Sequence, residues 1–429
     1  MKTISSIAAE LEGYDPQALS VDMANDFLSR LVEPLTEYED VGIFQALGRV
    51  LARDVISPIS VPPHDNSAMD GYAFNGTQLG AKTPLTLKQV GTALAGKAWQ
   101  GTVAEGECVK IMTGAIIPKG LDTVVPQEFV TLIDERITIP GALLQAGDNR
   151  RKLGEDLMEG EPALSQGATV TPAALGLLAS LGIHKVTVWR KLRVAYFSTG
   201  DEILSLGETP REGAVFDSNR YTVWGLLTKL GCEVIDLGVV RDVPELLESA
   251  FLNAASKADA IITSGGVSVG DADYTKAMMQ KLGDVAFWKI AMRPGRPMAV
   301  GRITKEKSSP ASSAILFGLP GNPVAVMVTF LAFVRPALMK MMGSKAAKLP
   351  LLKARSLEAI RKKPGRTEFQ RGTVRADSLG SLSVITTGNQ GSGVLSSMVQ
   401  ANGLIVLHHN QGNVAVGDGV DVMMFDGAI

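Results

Sequence analysis

Apolar residues recur at helical spacing from Val21 onward. Val21, Ala24, Phe27, Leu28, Leu31, Val32 and Leu35 fall on one face, and Ser20 stands where an N-cap belongs. The pattern predicts a helix from Ser20 to about Pro34, a second from about Glu39 to Leu47, and a polar, weakly ordered lead before Leu19. The stripe on the first helix is expected to stay uncovered by an elongated single chain, which argues for a two-fold dimer. From about Val50 to Glu161 the spacing changes. Short runs such as Leu85–Val90, Glu107–Met112 and Thr123–Val125 alternate with Gly and Pro, and pairs such as Val109/Ile111 and Ile137/Ile139 repeat with period two. That reads as a β-rich domain. A short helix with a glycine stop follows over Thr171–Gly182.

Between about Arg190 and Lys340 strand and helix patterns alternate. Strands are predicted at Leu192–Phe197, Cys232–Leu237, Ala258–Thr263 and Ala314–Phe317. Helices are predicted at Tyr221–Leu230, Pro244–Ser256, Tyr274–Leu282 and Val324–Met339. This alternation argues for a parallel, doubly wound α/β sheet. The tail from about Leu351 shows only short strands, such as Leu404–Leu407 and Val420–Met424, and reads as a small separate β domain.

The 429 residues suffice for two to four domains. A hydrophobic fraction of 45% provides ample core, and a formal net charge of −2 offers no field for a polyanion, so no nucleic acid is expected. Cys108 and Cys232 have no CxxC spacing and read as reduced core thiols. His64, His184, His408 and His409 lack zinc-ligand spacing. The N-terminus has no apolar signal core, and no uncharged apolar run approaches about eighteen residues, so neither secretion nor a membrane span is expected and the location is cytoplasmic by default.

Three polar, glycine-rich loops each follow a predicted strand of the α/β region. They are Ser198-Thr199-Gly200-Asp201-Glu202, Thr263 to Asp271 (with Ser264, Gly265, Gly266 and Ser268), and Gly318-Leu319-Pro320-Gly321-Asn322-Pro323. Loops at the carboxyl ends of parallel strands converge on one edge. Their backbone N–H groups and hydroxyls suit a phosphate-bearing ligand. None matches GxGxxG or GxxxxGK[ST], which disfavours a Rossmann dehydrogenase or a P-loop ATPase. Lys289, Arg293 and Arg296 lie in one proline-stiffened segment whose flanking aromatic and apolar residues argue for partial burial. Three close cations suit a small tetrahedral oxyanion, though a solvated surface cluster would look the same. Asp70, Asp156, Glu202, Asp242, Asp271 and Asp273 recur beside glycines. Acids near a phosphate hold Mg²⁺ or order basic side chains, and Asp271 and Asp273 also suit a cap for the helix from Tyr274.

Taken in order, these segments resemble the molybdopterin molybdenumtransferases, relatives of the catalytic E domain of gephyrin. The resemblance rests on Pro62 to Ala73, Lys110 to Ala115, Arg150 to Asp156, Ser198 to Glu202, Phe216 to Asn219, Thr263 to Asp273, Lys289 to Pro297, Gly318 to Pro323 and Thr387 to Gly393. It covers residue 20 to the C-terminus. It implies a helical linker domain over 1–50 and 151–187, a β domain over 51–150, a molybdopterin-binding α/β domain over 188–340, and a C-terminal β-barrel-like domain over 348–429. It implies a cytoplasmic homodimer with the site between subunits, acting on adenylylated molybdopterin and molybdate with Mg²⁺, releasing AMP and leaving molybdenum on the dithiolene. Contact with the pterin adenylyltransferase and with molybdoenzyme chaperones follows from the same resemblance.

Carried over by position, Asp70, Thr113 and Asp156 match family residues facing the cleft from its other side. Glu202, Asp242 and Asp273 match acids near pyrophosphate and metal. Lys289, Arg293 and Arg296 are expected to hold molybdate, assisted by Ser392 and by Arg366 or Arg371. Two departures stand out. Arg293 and Arg296 occupy positions where many members carry Lys, and Ala325 stands where many carry Ser. Adenylylation of the pterin, a cofactor-binding scaffold and a preference for tungstate are the competing readings.

Overall fold

The computed structural model of the protein describes residues 2–267, 274–304, 313–345 and 348–426. The lead before Leu19 is ordered, contrary to its polar composition. Thr3 caps a helix over Ile4–Ala9, and Ile4, Ile7 and Leu11 are buried. The backbone N–H of Ile4 donates to Asp284, 2.9 Å away. A few apolar residues suffice here because their receptor surface lies nearly three hundred residues on, beyond the reach of local pattern. The Val21–Leu31 helix is capped by Ser20, which accepts from the Met23 N–H at 3.2 Å. Its apolar stripe points inward. Ala24, Phe27, Leu28 and Leu31 join the core that also contains Trp288, and Phe27 meets Trp288 edge-on at 5.0 Å. The chain therefore covers the stripe itself, and the stripe gives no reason for a dimer.

The helix expected over Glu39–Leu47 is divided between a strand and a single helical turn. Tyr38–Gly42 pairs antiparallel with Lys185–Trp189, and only one helical turn, Ile43–Ala46, follows. Partner-strand pairing overrides a short helical period. Between these two strands the chain makes an open six-stranded sheet. Its order is Thr123–Pro126, Gly71–Phe74, Glu107–Ile111, Leu85–Ala93, Arg136–Ile139, Thr131–Ile133. Alternate residues feed two cores: Ala73, Val109 and Val124 on one face, Tyr72, Cys108 and Val125 on the other. Burial, with a smaller contribution from Glu107, pushes the Cys108 thiol up to about 12, and burial does the same to Cys232. Both stay protonated core groups.

The α/β region forms a six-stranded sheet ordered Glu233–Val240, Arg193–Thr199, Ala260–Ser264, Ser313–Leu319, Pro297–Thr304, Gly283–Lys289. The first four strands are parallel, whereas the last two run antiparallel at one edge, so the sheet is mixed. Alternation along Arg193–Thr199 sends Val194 and Tyr196 to one core and Ala195 and Phe197 to the other, and helices cover both faces. Pro323–Met341 is one apolar rod interrupted by a π-helical turn at Phe330–Val334. By length and composition it could cross a membrane, but 67% of its apolar window is buried inside the fold, where it serves as a core helix.

The C-terminal sheet closes on itself. Thr367–Ala376 pairs with Leu382–Thr386 on one side and Gly403–Leu407 on the other, and Leu351–Ser356 and Gly419–Met424 complete a five-stranded barrel. A sixth short strand, Met292–Arg293, is lent by the α/β region and pairs in parallel with Thr367 and Glu368.

Candidate active site

The parallel strands Arg193–Thr199, Ala260–Ser264 and Ser313–Leu319 run in register, Ser198 beside Ser264 and Ser264 beside Leu319. Their following loops open onto one cleft of about 850 Å³. A hydroxyl cluster forms its floor. The Tyr196 hydroxyl lies 2.8 Å from Ser198 Oγ and 2.7 Å from Ser264 Oγ. Burial pushes the Tyr196 phenol up, so it stays neutral and acts as a strut. Ser264 reaches the cleft, and Ser198 lies beneath it. The next turn requires glycine. Gly265 has φ +91°, and a Cβ there would sit 2.5 Å from the Thr199 carbonyl oxygen. At Gly266 a Cβ would sit 2.4 Å from that of Thr275. Gly321, also in the cleft lining, has open space around it.

One wall comes from the residues that start the Ser218–Lys229 helix. Asp217 caps it, accepting from the Arg220 N–H at 3.0 Å, and Asn219 donates through Nδ2 to the Gly321 carbonyl at 2.7 Å. The sequence marks this segment only as part of an ordered motif set, because Asp followed by Ser-Asn reads as an ordinary helix start. Thr199 Oγ1, Asp217 Oδ2 and Asn219 Oδ1 are buried and have no hydrogen-bond partner among the described residues. Buried polar atoms in folded proteins are normally paired. Three orphans in one cleft point to a ligand. Glu202 lines the same side, its carboxylate lying over Gly200.

The opposite wall is cationic. Arg293 and Arg296 line the cleft on either side of Pro294-Gly295, and neither has an ion-pair partner among the described residues. Both are exposed, not partly buried as their neighbours suggested. Those neighbours, Trp288 and Met292, turn into the core while the arginines project away from it. Lys289 ends the adjacent strand, half-buried and tied through its N–H to the Pro16 carbonyl, outside the cleft lining. Arg371 is fully buried and held by neutral oxygens only. It donates to Ser397 Oγ at 2.9 Å and to the carbonyls of Asn389 and Gly391 at 3.2 and 2.9 Å. Burial first, then the positive charge of Arg293, lowers its guanidinium pKa. These bonds fix the loop that brings Gln390, Ser392 and Gly393 to the cleft, and the Ser392 carbonyl accepts from Val324 N–H at 3.1 Å. Arg366 is instead paired with Glu368 at 2.8 Å. Ala325 lines this wall, so the missing hydroxyl falls beside the arginines.

Pro320 and Asn322 also line the cleft, and Gly200 and Asp242 stand in the adjoining loops. The Asp242 N–H donates to Asp201 at 3.3 Å. Ser268, Asp271 and Asp273 lie outside the described residues. Among the described residues no group of three metal-ligating side chains occurs. Asp70 and Thr113 meet in the open sheet, where the Thr113 N–H and hydroxyl donate to Asp70 at 2.6 and 2.7 Å. Those bonds hold the Asp70 carboxyl below its ordinary range. Asp156 follows later in the chain, its N–H donating to the Val61 carbonyl. None of these three lines the cleft of the single chain.

Residues 19–182 match the MoeA N-terminal region (domain I and II), 195–340 the probable molybdopterin binding domain, and 353–425 the MoeA C-terminal region (domain IV). A molybdopterin molybdenumtransferase of Haemophilus influenzae is 43% identical over 412 residues, spanning 95% of this chain and 99% of that one. The chain belongs to the molybdopterin molybdenumtransferase family. Gephyrin of Dictyostelium discoideum is 32% identical over 90% of this chain and 59% of its own length. The fold agrees with that of a solved family member. A molybdopterin biosynthesis moeA protein from Pyrococcus horikoshii superposes with TM-score 0.81 at 27% identity, covering 95% of this chain and all of that one.

Proposed function

We propose that this chain transfers molybdenum to molybdopterin. It takes adenylylated molybdopterin and molybdate and cleaves the pyrophosphate linkage by attack of water at phosphorus, so that AMP leaves. Two Mo–S bonds form to the dithiolene as one molybdate oxide departs with the two thiol protons as water. The observation that carries this reading is one cleft with two chemically opposite walls. Glycine-built strand ends and an orphaned polar wall suit a nucleotide-bearing ligand. Partnerless Arg293 and Arg296 face them and suit a tetrahedral dianion, which an Arg fork can hold through paired N–H donors. Ser392 adds a hydroxyl on the same side.

Mg²⁺ fits the acidic side. Glu202 reaches the cleft and makes no side-chain hydrogen bond or ion pair among the described residues. Mg²⁺ is commonly bound by one or two carboxylates together with substrate phosphates, so a preformed cluster of three is not required. Glu202, Asp242 and Asp273 are the residues that would hold it. When bound, the ion would neutralise charge on the departing phosphate. In this reading the enzyme is a cytoplasmic homodimer, and Asp70, Thr113 and Asp156 of a second copy complete the site. Their absence from this chain's own cleft lining supports that arrangement. Passing the substrate in and the product out would bring contacts with the pterin adenylyltransferase and with molybdoenzyme chaperones.

The test is direct. Purified protein given adenylylated molybdopterin, molybdate and Mg²⁺ is expected to release AMP and to yield cofactor that reconstitutes an apo-molybdoenzyme. AMP release at the rate of a protein-free control would overturn the reading.

A further inference from the structure

We infer that Asp217, with Asn219 beside it, forms an acceptor wall that recognises the exocyclic amino group of a flat heterocycle in the substrate. The inference rests on the function proposed above and assigns these residues to substrate specificity. Asp217 is only 4% exposed and Asn219 8%. Each has one polar atom committed and one left over. Asp217 accepts the Arg220 N–H at 3.0 Å, and its other oxygen, Oδ2, has no partner among the described residues. Asn219 gives Nδ2 to the Gly321 carbonyl at 2.7 Å, which sets the amide so that the leftover Oδ1 is the acceptor. Thr199 adds a third unpaired oxygen in the same lining.

The Asp217 carboxylate oxygen and the Asn219 amide oxygen can only accept and so disfavour phosphate and molybdate oxygens, whereas the Thr199 hydroxyl can also donate. Phosphate and molybdate oxygens belong with Arg293 and Arg296 across the cleft. What the wall can bind is an N–H donor. A ring amino group carries two such donors, and the exposed side chains of Val215 and Phe216 in the same lining offer an apolar face for the ring. The cleft is thereby polarised, with heterocycle on the Asp217 side and oxyanion on the arginine side. An adenylylated pterin contains two amino-bearing rings, and both supply this chemistry.

Calorimetric titration of the full chain with two matched pairs of probes separates them. In 6-hydroxymethylpterin against 6-hydroxymethyllumazine, and in AMP against IMP, a ring amino group is exchanged for an oxo group. The wild type is expected to bind the amino member of one pair at least about tenfold more tightly, the loss of one charge-assisted hydrogen bond. The pair that discriminates identifies the ring. Asp217→Asn keeps a good helix cap through Oδ1 and puts an NH₂ donor where Oδ2 was. It is expected to abolish or invert the preference while thermal unfolding shows the chain still folded. Equal binding within both pairs by the wild type would overturn the inference without recourse to any variant. So would an amino preference that survives in folded Asp217→Asn. AMP release by the wild type in the preceding assay judges the proposed reaction separately, so the two ideas fail on different measurements.

Discussion

Arg293→Gln removes one of two arginines that line the cleft without a partner, and its consequences for binding and for stability point in opposite directions. A hydrogen bond from a charged donor contributes about 1.5–3 kcal/mol. Arg293 is exposed, so the lower end applies. At about 1.4 kcal/mol per factor of ten, half-maximal AMP release is expected to need about tenfold more molybdate. Stability is expected to hold or rise slightly. No carboxylate loses a partner, and the positive charge that disfavours protonated Arg371 disappears. The assay is a molybdate titration of AMP release at saturating pterin substrate, paired with urea unfolding of the same preparations. Arg293→Lys keeps the charge but loses the planar fork, so a smaller shift is expected. Unchanged molybdate dependence in the Gln variant would refute the assignment. A tenfold shift accompanied by a large fall in unfolding midpoint would also count against it, because a structural role would then explain both.

Three further outcomes follow from other parts of the fold. Arg371→Met leaves the carbonyls of Asn389 and Gly391 without their buried donor, and is expected to cost about 1–3 kcal/mol in urea unfolding and to lower activity by loosening the loop that carries Ser392. Gly265→Ala is expected to lower the melting temperature sharply, since its Cβ would overlap the Thr199 carbonyl, whereas Gly321→Ala in the same cleft is expected to melt like the wild type. Asp259 gives a pH signature. Burial alone would raise its carboxyl, but Arg190, at 2.7 and 2.8 Å, and the Arg193 N–H outweigh burial and lower it. A carboxyl lowered by folding stabilises above its unfolded value of about 3.9 and loses that contribution as pH falls through the folded value. Unfolding midpoints measured from pH 6 to pH 3 should therefore fall less steeply for Asp259→Asn, from a lower starting stability.

Much of the cleft is legible in sequence because its geometry is local. A parallel strand followed by Ser-Thr-Gly or Ser-Gly-Gly places its loop on the ligand-binding edge by topology alone, and Thr199, Gly265 and Gly321 lie there. What escapes is what depends on distant pairing. The strands Gly283–Lys289 and Pro297–Thr304 are antiparallel partners, yet the sequence shows there only a proline-stiffened segment carrying cations, with no strand predicted on either side. Tyr38–Gly42 becomes a strand because Lys185–Trp189 lies beside it. Arg371 gives no sequence sign of being buried, since arginine is rarely so and the acceptors that satisfy it lie eighteen to twenty-six residues away. Asp217 and Asn219 were hidden by ambiguity, since the residues that cap a helix are the residues that bind a ligand at its start.

The short strand that Met292–Arg293 lends to the C-terminal barrel has a consequence for how the two regions can evolve and be engineered. The peptide that carries Arg293 joins two strands of one sheet and borders another. Cutting the chain after Ser344 would excise the five barrel strands but leave their sixth behind, with its edge open to water or to a stray strand from another molecule. Grafting a barrel from a relative would succeed only if the newcomer presented a matching edge to positions 292 and 293. The barrel thus behaves as an inlaid part of the cleft, and its exchange between proteins is constrained by two backbone pairings together with the side chains, Phe369, Met398, Leu404 and Val406 among them, that it sends into the core shared with the α/β region.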